Sequence, residues 1–143
     1  MNDLNIAKSS LSQKGLTFII VKNGTVLFET GSHRISGFLG AIEQFGVRLK
    51  GASVADRVVG KAIALLCVYA GIREVYAEVL SRKAQAVLEE NGVPCGWKEL
   101  VDTILDLNRS DVCAFEKAAA DISDPEKAYA TFKALLQSFK AGK

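Results

Sequence analysis

Apolar and polar positions change period several times along the chain, and each change marks an element. Leu4, Ile6, Ala7 and Leu11 sit at roughly helical spacing before Gly15, which predicts a short first helix over residues 3–12. Two β-rich runs, residues 16–21 and 25–29, then flank Lys22-Asn23-Gly24. Asn-Gly between such runs is the strongest short-range hairpin signal, because a type I′ turn needs positive φ at both central residues. The first run is apolar at nearly every position, which suits an interior strand covered on both faces, whereas the second alternates and belongs nearer an edge. Phe38, Leu39, Ile42 and Phe45 predict a short helix ending at Gly46.

Residues 53–70 read as one buried helix. Ser53 and Asp56 have the spacing of a capping box, and Val58, Val59, Ala62, Ile63, Leu66 and Cys67 form one apolar face. Leu65, Val68 and Tyr69 nearly close the ring, as in a helix buried all round, and Gly71 ends it. Residues 72–80 predict a strand. Ser81 caps a following helix that carries Ala84, Val87 and Leu88 and is closed by Asn91-Gly92. A further strand is expected over residues 93–97, and Leu100, Val101, Ile104 and Leu105 return to helical spacing. Two last helices cover residues 112–120 and 124–140, the second with Pro125 at its first position and Ala128, Phe132, Leu135, Leu136 and Phe139 inward.

A hairpin followed by alternating helices and strands gives an α/β fold with three layers, α/β/α. Its sheet is mixed, joining an antiparallel N-terminal hairpin to parallel strands. The 143 residues fit one domain spanning 1–143, with C-terminal helices at about 111–140. Apolar residues make up 49% of the chain, enough for one packed core. The net charge of +2 comes without a basic block, which argues against nucleic-acid or membrane-surface binding. The first residues lack the pattern of a signal peptide, and the longest strongly apolar run, 62–70, is far below the ~20 residues of a membrane helix. A cytoplasmic location is therefore expected. Cys67, Cys95 and Cys113 contain no CxxC pair and suit free thiols in a reducing compartment.

The element order is that of the cytidine-deaminase-like fold. Residues 18–28, the stretch Val54-Ala55-Asp56-Arg57-Val58-Val59-Gly60-Lys61-Ala62, and Leu107-Asn108-Arg109 leading to Cys113 and Glu116 carry a closer likeness. On them the chain resembles DUF1893, a family of unknown function that is a variant of that fold. Ala114 stands where the family usually has a proline after the cysteine.

A nucleobase deaminase of this fold needs zinc to activate water and a carboxylate to move protons. Its metal takes a His or Cys from the first turn of one helix and a Cys pair from the start of the next. Here the counterpart of the first motif is Val54-Ala55-Asp56, and that of the second is Ser81-Arg82-Lys83-Ala84. Neither offers a zinc ligand at the required place. Pro94-Cys95 lies after the second helix, and the only histidine is His33. Neither a metal nor another cofactor is expected.

Other chemistry remains open. Two helix starts should converge at the carboxyl edge of the sheet, where open α/β sheets bind ligands. Arg82 and Lys83 oppose the dipole of their helix, a cost that a bound phosphate or carboxylate would reverse, while the plainer reading is two long side chains bending into water. Asp56 is a helix-start acid, a partner for Arg57, Lys61 or Arg109, or a general base. Gly60 within a helix is accounted for by close helix–strand packing or by close approach of a ligand. Asn108-Arg109-Ser110-Asp111 reads as a polar turn, with Asp111 as N-cap and Cys113 in the next first turn, one turn before Glu116. Cys113 is either a reactive thiol or a buried inert one, and Cys67 is a packing residue. Trp97 suits a core or interface anchor.

Three functions follow. The leading expectation is a pseudo-deaminase that binds a small anionic ligand in a regulatory role, a nucleotide-like ligand being an implication of the fold alone. Its site would comprise Asp56, Lys61, Ser81, Arg82, Lys83, Asn108, Arg109, Cys113 and Glu116. The others are a metal-free enzyme using Asp56 as base or Cys113 as nucleophile, and a non-catalytic interaction module. A homo-oligomer is compatible with all three.

Overall fold

The computed structural model describes residues 2–31, 35–102 and 110–141, except the side chains of residues 110–113, 140 and 141. His33, Ile104, Leu105, Asn108 and Arg109 lie outside the described residues, as does the side chain of Cys113. The chain runs α1 (Asp3–Gln13), β1 (Phe18–Lys22), β2 (Thr25–Thr30), α2 (Ile35–Phe45) and a 3-10 turn (Gly46–Leu49). It continues with β3 (Ser53–Val59), α3 (Lys61–Ala70), β4 (Glu74–Ser81), α4 (Arg82–Glu90), β5 (Cys95–Val101), α5 (Ser110–Ala119) and α6 (Pro125–Ala141).

The five strands form one mixed sheet in the order β2-β1-β3-β4-β5. β1 pairs antiparallel with both β2 and β3, while β3, β4 and β5 run parallel. The hairpin forms as its sequence requires, with Asn23 at φ 52° and Gly24 at φ 77°. Its turn is fastened to the first helix: the Asp3 carboxylate accepts from the N–H groups of Asn23 and Gly24, both at 2.8 Å. β1 is interior and apolar on both faces, and β2 is an edge.

Among the described residues α1 alone covers one face, packing Ala7 and Leu11 on Ile19, Val21 and Ala55. The remaining helices pack on the other face, in a core that includes Phe18, Phe38, Val54, Leu65, Leu66, Val75, Leu88, Phe115 and Phe132. The order β3-α3-β4-α4-β5 advances steadily across the sheet, so both crossover helices lie on the same side.

Two expectations are corrected here. Residues 53–70 are not one helix. Ser53–Val59 is an interior strand, and the helix begins only at Lys61, after an extended Gly60 (φ −100°, ψ −176°). Val54, Val58 and Val59 are β-branched, and a strand buried on both faces shows no two-residue alternation that would separate it from a buried helix. The Ser53/Asp56 capping box therefore does not exist: the Ser53 hydroxyl donates to Glu74 at 2.9 Å. Leu100 and Val101 are the second case, since they end β5 rather than open a helix. On α6, Ala128 and Phe132 are buried and Leu135 and Leu136 half-buried, whereas Phe139 is 38% exposed.

A cleft between two helix starts

α3 follows β3 and α4 follows the adjacent parallel β4, so both helices begin at the carboxyl edge of the sheet. Their starts are stabilised differently. α4 carries its own cap: Ser81 is buried and its Oγ accepts from Ala84 N at 3.1 Å. Arg82 in the first turn donates from Nε to the Asp102 carboxylate at 2.8 Å, an exposed pair that compensates one of the two cations there.

α3 has no side-chain cap of its own, since Gly60 occupies the N-cap position. Glu116, from α5, takes that place. Its Oε1 accepts from Ala62 N at 2.9 Å and its Oε2 from Lys61 N at 3.3 Å. A carboxylate there satisfies open amides and meets the positive end of the helix dipole. Gly60 makes the contact sterically feasible: a Cβ at position 60 would lie 2.7 Å from Glu116 Cδ and closer still to Oε1. Burial pushes the Glu116 carboxyl above the usual range, against the opposite pull of the two amides and of the Lys83 and Lys61 charges. Lys61 also grips the turn just after α5, its Nζ donating to Ala120 O at 3.1 Å.

Beside this contact lies a cleft of about 280 Å³, lined by Lys61 from α3, Lys83, Glu90 and Asn91 along and just after α4, and Ala120 and Ser123 from the turn between α5 and α6. A larger cavity of about 720 Å³ lies elsewhere. It includes Tyr69 and Tyr129, whose rings stack at 4.4 Å, with Ile42, Glu43, Val47 and Lys50. Gly71, at the end of α3, also lines it, so it sits at the opposite end of that helix from the Lys61 cleft.

The sequence-derived site residues thus separate. Lys61, Lys83 and Glu116 come together, and Ser81 and Arg82 sit on the same edge with their polar groups engaged in structural contacts. Asp56 does not join them. It lies in mid-strand at 0% exposure rather than at a helix start, with its Oδ1 accepting from Val58 N at 3.2 Å. Arg57 projects elsewhere, donating to Leu16 O at 2.7 Å and Glu78 Oε1 at 3.0 Å. Cys67 is wholly buried, and desolvation, reinforced by the Asp56 charge, pushes its thiol far above the ordinary range. Trp97 is no core anchor; it is 38% exposed on the edge strand β5.

The family model for a domain of unknown function, DUF1893, matches residues 6–136. The chain belongs to the DUF1893 family. A solved DUF1893 protein from Thermotoga maritima, TM1506, superposes with a TM-score of 0.79 at 23% identity, covering 96% of this chain and 90% of that one. A dCMP deaminase from the cyanophage S-TIM5 matches with a TM-score of 0.50 at 16% identity, over 66% of this chain and 93% of the other. These likenesses establish the deaminase-like fold. No curated protein matches the sequence.

Val54-Ala55-Asp56 lies within β3, so no helix starts there, and the helix that follows β3 starts at Gly60-Lys61-Ala62. The helix start at Ser81-Arg82-Lys83-Ala84 forms as expected, with Ser81 as its N-cap. Two ammonium groups, a capping hydroxyl and an amide-bound carboxylate do not fit a zinc ion, which wants thiolate or imidazole donors. Among the described residues, no three His, Cys, Asp or Glu side chains group as a metal site. No described helix is long and apolar enough to cross a membrane.

Proposed function

We propose that this DUF1893 protein is a non-deaminating member of the fold that binds a small anion in the cleft between α3, α4 and the α5–α6 turn. One observation carries the reading: Lys61 and Lys83, 22 positions apart in the sequence, line the same cleft. The two ammonium groups outnumber Glu90, the carboxylate among the described lining residues, and ligands of open α/β sheets gather at this edge. Asn91 and Ser123 add neutral hydrogen-bonding groups. Inorganic phosphate is the simplest anion of this class, with sugar phosphates and nucleotides as larger forms.

Thermal unfolding with added phosphate tests the proposal. A site of about 1 mM affinity gives roughly 1.4 kcal/mol of stabilisation at 10 mM ligand, and so a rise of about 3–5 °C in a domain of this size. Lys83→Ala should abolish the rise, because Lys83 makes no structural hydrogen bond among the described residues, whereas Lys61 also bonds Ala120 O. A wild-type protein unmoved by phosphate, sugar phosphates and nucleotides would refute the proposal.

A metal-free enzyme using Asp56 as base would need that side chain to reach a substrate, and it is buried in the sheet.

A further inference from the structure

We infer that Glu116 is an internal competitor for the anion of this cleft, so that binding requires its carboxylate to leave the start of α3. The inference rests on the anion-binding reading above and deepens it to the regulation of that site.

Glu116 is itself an anion placed beside the cleft's cations. It holds the amides of Lys61 and Ala62, and both Lys61 and Lys83 act on it electrostatically. A phosphate entering between the same two ammonium groups meets a negative neighbour whose charge they already offset. The protein therefore presents two alternatives, Glu116 seated or ligand seated, which compete for the charges of Lys61 and Lys83.

The seat is specific. Gly60 leaves room for the carboxylate and for nothing bulkier than hydrogen on its own Cα. The grip is also adjustable, since the carboxylate stands on α5, a helix joined to α3 at this end by Glu116 and by Lys61 Nζ on Ala120 O. Displacing the carboxylate frees the far end of a flexible side chain and leaves the sheet and the α4 cap untouched.

Two substitutions unseat the carboxylate by different means. Glu116→Gln removes the charge and keeps the shape. Gly60→Ala keeps the charge and drives the carboxylate off, since position 60 has an ordinary extended φ of −100° that alanine adopts freely. If Glu116 is seated nine-tenths of the time, the apparent affinity of the wild type is reduced about tenfold, so both variants should bind inorganic phosphate roughly tenfold tighter by calorimetry. In the unmodified protein, saturating phosphate should also move the carboxyl-carbon NMR resonance of Glu116.

Phosphate binding that depends on Lys83, with both variants tightened and the resonance moved, supports the inference. Lys83-dependent binding with unchanged or weakened affinity in the variants overturns it and leaves the binding site standing. A resonance unmoved at saturation overturns it even if neither variant folds. Absence of phosphate binding in the wild type and both variants removes the cleft reading together with the inference.

Discussion

Phe115→Ala should unlatch α5 from the rest of the molecule. Phe115 is buried to 2% exposure, immediately before Glu116, and sets its ring edge-on to Phe132 at 5.8 Å and Phe139 at 5.9 Å. Phe132 is fully buried in the same core, and Ala119 is the other buried side chain described on α5. Phe115 is thus the largest apolar anchor among the described side chains of that helix. Truncating a core phenylalanine costs about 3–5 kcal/mol, the lost transfer energy plus the cavity left behind. Against a total stability of about 5–15 kcal/mol this is a large fraction, and the melting temperature should fall by about 10–15 °C. The loss also falls on one helix, so local opening should rise by two powers of ten or more. Hydrogen exchange with mass spectrometry on residues 114–119, beside a calorimetric melt, reads both effects. Phe115→Leu, which keeps most of the buried volume, should retain much of the protection. A fall in melting temperature under about 3 °C with unchanged exchange in α5 would refute the anchoring argument, because the missing contacts would then have been negligible.

Three further outcomes follow from the same contacts. Ser81→Ala should lower stability by about 1 kcal/mol through loss of the α4 cap, measured by urea denaturation, without weakening phosphate binding; a loss of binding at unchanged stability would make Ser81 a ligand contact instead. Because burial raises the folded-state pKa of Glu116, its contribution is fully present below the ordinary glutamate value near about 4.3 and is lost as pH rises through the raised value. Wild type should therefore lose stability relative to Glu116→Gln as pH climbs toward neutrality, and a difference independent of pH would contradict the assignment. In the native protein at neutral pH, Cys67 should resist iodoacetamide, as its thiol is buried and held protonated, while the half-buried Cys95 should react slowly, as judged by peptide mass mapping.

Local signals in the sequence located most elements because their causes are local. Asn23-Gly24 fixes the hairpin by φ preference, Ser81 announces α4, and Pro125 opens α6. The stretch from Ser53 to Ala70 misled because β3 is interior. Burial on both faces erases the alternation that marks a strand, and Ser53 and Asp56 happen to stand at capping-box spacing. Gly60 held the correction, as the break between strand and helix. Close approach at this glycine was foreseeable, but the approaching group is a side chain 56 positions away. No periodicity or motif encodes such a pairing. Lys61, Lys83 and Glu116 were each legible as candidates, while their convergence depends on the β3–β4 register and on where α5 docks.

The two helix starts solve one electrostatic problem in opposite ways, and this decides what the edge of the sheet selects. Every helix start exposes amides and a partial positive charge. In a zinc-dependent member of the fold, a dication can be held there only by donors that bring negative charge or neutral lone pairs. Here α4 adds two cations to its own dipole and offsets one with Asp102, while α3 adds Lys61 and borrows the negative charge of Glu116. Removing Glu116 would leave Lys61, Lys83 and two helix dipoles at one cleft opposed, among the described lining residues, by Glu90 alone, an arrangement that favours an anion over a metal ion. In the proposed site Glu116 is the carboxylate whose seating shifts the balance: seated, it and Glu90 offset the two lysines, and displaced, it leaves a net cationic cleft. Replacing Lys83 by Glu should reverse that sign, and a variant that still bound phosphate as tightly as wild type would show that charge at this cleft does not govern binding.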